Sequence, residues 1–463
     1  MFRHRLSVSR ALLAIIVAVY CLLGLACAVN TPKWEVPDEP AHYNYVVYLA
    51  ENRCFPVLQM GDYPHQYLEE IKAARFPPHM SIAPLRYEYH QPPLYYVLAA
   101  VLYKITGFLG FEGQFLALRL FSMLLGSLLL LVAYAIVKDI FPHEEFLALT
   151  TTAVIAALPM HIAMSAAINN DTLAELILAL IIWLSIKHLT SGLAARQIVL
   201  LGLLLALALL TKTTIYAPAM LSILLALLLR AHLEGKRRFL RQLGAISGLA
   251  LLSVWWFIRN LLTYGDFDLF GWHRHDSIVV GQPTTTEWVS RYGLARVVQD
   301  FLATSFRSFW AQFGWMGILV DSRIYALLAA LSVAIALGFL IFLVRIARDR
   351  RLITLFQWWA LFLLLMVFVL VTGEHILYNL KFVQHQGRYL FPALVPVGLA
   401  FALGLREWMT VVLGLASRLP LPERCVGALP AIVQGTFFSL FYAGFLVLDL
   451  ACLYLFIVPY FQG

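Results

Sequence analysis

The chain has 463 residues, of which 61% are hydrophobic and 13% charged, with a mean hydropathy of +0.80. A water-soluble protein of this length would expose too much apolar surface, so the composition excludes one and points to a polytopic membrane protein. The net charge of +8 is no sign of nucleic-acid binding, because the basic residues fall in short loops between apolar runs, as the positive-inside rule expects.

Residues 1–29 carry Arg3, Arg5 and Arg10, then an apolar run, then Ala26-Cys27-Ala28. That order suits a signal peptide. The run is nearly long enough to span, however, and further spans follow, so an uncleaved first transmembrane helix is the simpler expectation. With 11–29 as the first span, ten more are expected at 116–137, 146–165, 172–189, 192–210, 214–230, 240–262, 324–344, 352–372, 389–405 and 432–459. The apolar helix at 92–106 has 15 residues, short of the roughly 20 that a crossing needs, and is expected to lie half-embedded. If it does not cross, the clusters Lys236-Arg237-Arg238, Arg345 to Arg351, and Arg406, Arg418 and Arg424 all fall inside. A crossing there would turn them all outside. The expected fold is therefore an all-α polytopic bundle of about eleven spans. Its parts are a first helix (1–29), a first extracytoplasmic loop (30–115), a transmembrane bundle (116–262), a second extracytoplasmic loop (263–323) and C-terminal spans (324–463).

The chemistry gathers in the outer segments. Val36-Pro37-Asp38-Glu39-Pro40-Ala41-His42-Tyr43 follows the first span. Asp38 suits a helix cap, with Glu39 and Pro40 in the first turn, but that leaves His42, which shares a helical face with both carboxylates. His90-Gln91-Pro92-Pro93 opens the short helix, either as a proline-initiated start or with His90 and Gln91 turned to the carboxylates. Asn169-Asn170-Asp171 lies between two spans, where Asp171 is a cap, a metal ligand or a contact for a sugar hydroxyl. Lys212 stands in a tight outer turn, Arg259 near the outer end of a span, and Arg388 at the start of Gly387-Arg388-Tyr389-Leu390-Phe391-Pro392. Snorkelling explains any one of these cations, but several facing acidic groups suit a phosphate, and a guanidinium grips one with two hydrogen bonds. A divalent metal is an open option, with Asp38, Glu39, His42 and Asp171 as candidate ligands. His273 and His275 alternate beside Asp276, a weak metal signal. The five cysteines have neither metal nor disulfide spacing, and there is no nucleotide-binding glycine motif.

Taken together, Pro37–Tyr43, His90–Tyr96, Arg119-Leu120-Phe121-Ser122, Asn169–Leu173, Thr211-Lys212-Thr213, Trp255–Asn260 and Gly387–Pro392 resemble the GT-C class of integral-membrane glycosyltransferases. The likeness is greatest to its bacterial protein O-mannosyltransferase and aminoarabinose transferase type families with a Pro-Asp-Glu-Pro-Ala-His motif. The resemblance implies a helical bundle in the plasma membrane with its catalytic carboxylate in the first outer loop. It also implies a sugar donor carried on a polyprenyl phosphate and an acceptor that is a glycan, lipid or protein. Asp38 falls at the acidic catalytic position and Glu39 completes the pair. Arg119, Lys212, Arg259 and Arg388 fall where similar proteins keep basic residues. Some relatives carry Lys where this chain has Gln91, so donor-phosphate contact would pass to Arg388, Lys212 or another cation, or the donor differs. The expected reaction is inverting transfer with Asp38 as general base, its pKa raised by Glu39 and burial. The rivals are a transporter or flippase of lipid-linked saccharide and an oligosaccharide polymerase or ligase.

Overall fold

A computed structural model describes residues 2–416 and 423–462. Arg418, one of the basic residues used above to orient the chain, lies outside the described residues. The elements in chain order are α1 (Phe2–Asn30), α2 (Glu39–Asn52), α3 (His65–Ala73), α4 (Leu94–Ile105), α5 (Gly110–Ile140), α6 (Glu145–Ala156), α7 (Pro159–Ser165), α8 (Asp171–Ser191), α9 (Ala195–Leu209) and α10 (Tyr216–Glu234). There follow α11 (Lys236–Ala250), α12 (Val254–Tyr264), α13 (Trp272–Ile278), α14 (Thr285–Tyr292), α15 (Leu294–Trp310), α16 (Ser322–Arg348), α17 (Leu355–Lys381), α18 (Leu394–Ala416), α19 (Glu423–Ala451) and α20 (Val458–Gln462). One antiparallel hairpin, β1 (Gln312–Phe313) with β2 (Ile318–Leu319), interrupts the 263–323 segment.

Among the described residues nine helices are long and apolar enough to cross a membrane. Two of the eleven expected spans depart from that pattern. The 146–165 span is broken at Leu158, whose extended backbone precedes Pro159, and its halves α6 and α7 meet at 64°. The 192–210 span is α9, only 15 residues long. Both packed and lipid-facing helices are present: 83% of the apolar stretch of α8 is buried against protein, but only 22% of that of α16. Where α16 crosses α18, a Cβ on Gly338 would sit 2.3 Å from the carbonyl oxygen of Gly404, so the bare glycines set how closely these backbones approach.

Arg119, in the first turns of α5, donates to the carbonyl oxygens of Ala28 (2.8 Å) and Thr31 (2.7 Å) at the end of α1. α1 therefore ends, and α5 begins, at one end of the bundle, and the intervening α4 does not change sides. The 30–115 and 263–323 segments pack on each other at that end. Trp315 Nε1 donates to the carbonyl oxygen of Trp34 at 2.9 Å, and Arg274 Nε to that of Leu58 at 2.9 Å.

Candidate active site

Asp38 precedes the first helical residue of α2, and its carbonyl oxygen accepts from the amides of Ala41 and His42 at 3.0 Å. Its carboxylate caps nothing. The backbone is left-handed (φ 67°, ψ −6°), a conformation that costs a residue with a Cβ on the order of 1–2 kcal/mol and that aspartate tolerates better than most. The carboxylate instead accepts from Tyr87 Oη on Oδ1 (2.9 Å) and from Arg388 Nη2 on Oδ2. Its side chain keeps 24% of its surface accessible, so the strained backbone serves a group that can still be reached.

Arg388 belongs to the tight turn Gly387–Ala393 before α18. That turn lies against α15: a Cβ on Gly387 would fall 2.1 Å from the carbonyl oxygen of Ser305 and 2.4 Å from the amide nitrogen of Phe309. Gly387 is thus required for the close approach that aims Arg388 at Asp38. The guanidinium is only 6% exposed, yet among the described residues its Nε has no hydrogen-bond partner, and Nη1 meets only the thioether of Met164 at 4.0 Å. A buried guanidinium with spare donors is a site for another acceptor.

Lys212, alone in its turn by sequence, has two partners: Asn170 Oδ1 at 2.9 Å and the carboxylate of Asp171 at the start of α8. Asp171 is not the cap of α8; Asn169 Oδ1 accepts from its backbone amide at 3.0 Å. Glu88 sits near both ion pairs. Burial, and then the negative charge of Asp38, push its carboxyl up to about 8, and among the described residues its Oε2 has no partner. The same is true of Gln91 Oε1. His42 bonds to Tyr96 Oη through Nδ1 (2.8 Å), and burial with the charge of Lys212 holds its imidazole down to about 3, so it is neutral. His90 bonds to the Tyr87 carbonyl (2.9 Å) and packs on His275 with ring centroids 4.5 Å apart. It therefore fastens the 263–323 segment to the 30–115 segment.

Burial alone would raise the Asp38 carboxyl, but the Arg388 charge beside it holds it below the ordinary carboxylate range. This reverses the direction expected from sequence. Glu39 is fully buried, and its charge is paired with that of Arg119. Arg119 donates to Oε1 (2.8 Å) and Oε2 (2.7 Å), with the amides of Ile168 (3.2 Å) and Trp34 (3.0 Å) also donating. Arg119 in turn spends its remaining donors on the carbonyls of Ala28, Thr31 and Pro32. Two residues assigned by sequence to catalysis and substrate binding thus form a clamp between α1, α2 and α5.

Arg259 lies apart from the Asp38 group. It reaches the Pro56 carbonyl and Asn260 Oδ1, with its guanidinium 4.9 Å from the Trp256 ring centroid. Asp38 and Asp171 each hold a cation, Glu39 holds Arg119, and among the described residues no group of three or more His, Cys, Asp or Glu is gathered to bind a metal. His273 and His275 lie on helix α13, where residues two apart do not share a face, so the strand-like alternation read from sequence does not apply. Tyr87 and Glu88 were missed by the motif reading. They stand three and two positions before His90, and the signal was a carboxylate between two tyrosines in Tyr87-Glu88-Tyr89.

The fold is shared with solved membrane enzymes. The oligosaccharyltransferase of Archaeoglobus fulgidus superposes with a TM-score of 0.52 at 15% identity, over 94% of this chain and 56% of that one. The archaeal oligosaccharyltransferase AglB from Archaeoglobus fulgidus, in complex with an inhibitory peptide and a dolichol-phosphate, gives 0.50 at 14% identity, again over 94% and 56%. ArnT from Cupriavidus metallidurans bound to undecaprenyl phosphate gives 0.49 at 15%, over 96% and 73%. The chain thus spans little more than half the length of the archaeal enzyme, and its architecture is a GT-C type helical bundle. No curated protein sequence matches it. Residues 83–397 match the family described as Predicted membrane protein (DUF2142), a stretch that includes Glu88, Asp171, Lys212 and Arg388 and begins after Asp38. Because that match takes in more than half of the chain, the protein belongs to the DUF2142 family of membrane proteins.

Proposed function

We propose that the protein is a membrane glycosyltransferase that moves a sugar from a polyprenyl-phosphate donor to an acceptor hydroxyl on the extracytoplasmic face of the plasma membrane. The observation that carries this reading is the buried Arg388, held against a reachable Asp38 while its Nε lacks a partner among the described residues. A donor phosphate would take the spare donors of Arg388 and, through Lys212, a second cation. The fold shared with an enzyme solved with a dolichol-phosphate supports a lipid-borne donor.

In the proposed reaction the acceptor oxygen attacks the anomeric carbon, the bond from that carbon to the phosphate oxygen breaks, and the hydroxyl proton passes to Asp38. The attack is in line, so the anomeric configuration inverts. Polyprenyl phosphate leaves with the electron pair, and Arg388 and Lys212 stabilise the charge that grows on it. The depressed pKa of Asp38 then has a use. While Arg388 faces it, Asp38 is a poor base. As Arg388 turns its charge to the donor phosphate, Asp38 becomes more basic, so competence follows donor binding. Glu88 stays neutral below about pH 8 and adds no charge against the phosphate.

The test is transfer of labelled sugar by purified protein from a panel of polyprenyl-phosphate donors to membrane extract. Sugar transfer from a monosaccharide donor is the expected result. Donor carried across a vesicle membrane without cleavage would favour a flippase. Consumption of oligosaccharide donors alone would favour a polymerase or ligase.

A further inference from the structure

The two oxygens of Asp38 are held unequally. Oδ2 faces Arg388, a cation in the turn before α18 whose Nε has no partner among the described residues and whose charge suits another acceptor. Oδ1 accepts from Tyr87 Oη at 2.9 Å, and the steps above give that hydroxyl no task. Tyr87 stands on a fixed platform. It is 6% exposed, its ring meets that of Tyr63 edge-on with centroids 5.4 Å apart, and its carbonyl oxygen accepts from His90 Nδ1 at 2.9 Å. The residue before it is pinned as well. The Arg86 amide donates to the carbonyl oxygen of Asp62 (2.9 Å), and Arg86 Nε meets the Asp62 carboxylate at 2.9 Å. A phosphate therefore draws on Arg388 but not on Tyr87, which is neutral and enclosed. Burial, and then the negative charge of Asp38, raise the Tyr87 phenol well above its ordinary range, so it stays a hydrogen-bond donor.

We infer that Tyr87 is the positioning residue of the proposed base: it pins Oδ1, so that when the donor phosphate draws Arg388 away, Oδ2 alone is bared to take the acceptor proton. The torsion about the Cβ–Cγ bond of an aspartate is broad and roughly two-fold, so a carboxylate left without partners turns and its oxygens exchange places. The Tyr87 hydrogen bond removes that freedom at the moment the ion pair opens. The proton passes from the acceptor hydroxyl to Oδ2 as the acceptor oxygen bonds to the anomeric carbon, polyprenyl phosphate departs with the electron pair, and Tyr87 keeps its own proton throughout. The source of the proton rests on the transferase reading; the hold of Tyr87 on Asp38 does not.

The experiment compares wild type, Tyr87→Phe, and protein in which Tyr87 is replaced by p-aminophenylalanine, whose N–H groups still donate. Phenylalanine keeps the ring against Tyr63 and removes only the hydroxyl. Three readouts are taken: single-turnover transfer across pH, binding of polyprenyl phosphate, and infrared difference spectra against Asp38→Asn, which follow protonation of the Asp38 carboxyl without turnover. Tyr87→Phe is expected to slow transfer about tenfold or more and to leave polyprenyl-phosphate binding within about twofold. It is also expected to move the Asp38 titration, and with it the acid limb of the rate, toward neutral pH, because a donor to the charged form is lost. The p-aminophenylalanine protein is expected to recover most of the rate. Unchanged transfer and an unchanged Asp38 titration in Tyr87→Phe would overturn the proposal. So would a loss of rate that p-aminophenylalanine does not restore, or weakened polyprenyl-phosphate binding with normal transfer from bound donor, which would make Tyr87 a donor contact. Wild type that transfers no sugar, with an Asp38 titration that still moves in Tyr87→Phe, would sink the transferase reading and leave the hold of Tyr87 on Asp38 standing.

Discussion

Asp38 is held in a conformation that its own side-chain chemistry does not require, and the strain makes sense only through what the carboxylate touches. A capping aspartate would donate nothing to a reaction, whereas this one is turned to Arg388 and Tyr87. The Arg388 charge depresses the Asp38 pKa, so removing that charge lets the pKa rise. Arg388→Gln is accordingly expected to move the acid limb of the pH–rate profile toward neutral pH as well as to weaken donor binding; an unmoved limb would separate the two residues functionally. Glu88 supplies the opposite limb. Its carboxyl is neutral below about pH 8 and ionises above it, adding a negative charge beside Asp38 and the phosphate site. Donor binding is expected to weaken above pH 8 in wild type and to hold level in Glu88→Gln, as measured by binding titrations across that range.

Glu39 and Arg119 belong to a different category from Asp38 although Glu39 is its neighbour in sequence. Both are almost completely buried, with side chains 0% and 2% exposed. Breaking such a pair from one side leaves an uncompensated buried charge and typically costs about 3–5 kcal/mol. Arg119→Met is therefore expected to lower the thermal midpoint in detergent sharply, and the Glu39→Gln/Arg119→Met pair to lower it less than the sum of the two single changes. Additive losses would argue against the clamp. The adjacency of Asp38 and Glu39 was legible in sequence. Their division of labour was not, because it depends on the turn at Asp38 and on an arginine 80 positions further along.

At the scale of elements, the site is built by turns at one end of helices rather than by the helices themselves. Asp38 precedes α2, Asp171 opens α8, Lys212 lies between α9 and α10, and Arg388 stands in the turn before α18. The sequence signalled each of these junctions, because charged residues interrupt apolar runs there. It gave no sign of the packing that aims them. Gly387 is the sharpest case: nothing in Gln386-Gly387-Arg388 announces that α15 passes within 2.1 Å of where a Cβ would sit. Gly387→Ala is expected to displace the Arg388 turn and cut transfer at least tenfold while the protein still extracts as a monodisperse species; a fully active variant would show that α15 yields at little cost. The breaks within expected spans follow the same division. Pro159 falls inside a stretch read as one continuous span, and the bend between α6 and α7 emerged only in the structure.

At the scale of the whole molecule, the hydrophobic pattern carried most of the architecture. Nine of the eleven expected spans are long apolar helices among the described residues, and the charge argument that kept α4 from crossing agrees with the Arg119 contacts to the end of α1. The contacts between the 30–115 and 263–323 segments were beyond the sequence, since they join residues far apart in the chain, such as Trp34 with Trp315, 281 positions on. The proposed orientation has a direct consequence. Cys54 is exposed at the same end as the site and is expected to react with a membrane-impermeant maleimide in intact cells, whereas a cysteine at Arg350 should react only after permeabilisation. The reverse pattern would invert the topology.

The central claim is that Asp38 takes a proton from an acceptor while Arg388 and Lys212 hold the donor phosphate. Its most direct test is single-turnover sugar transfer from a preformed complex with polyprenyl-phosphate donor, comparing wild type with Asp38→Asn. The substitution is expected to slow transfer by about 10²–10⁴-fold, the range of a lost general base, while donor binds as tightly or more tightly because Arg388 is freed. Equal transfer by the two proteins would contradict the claim.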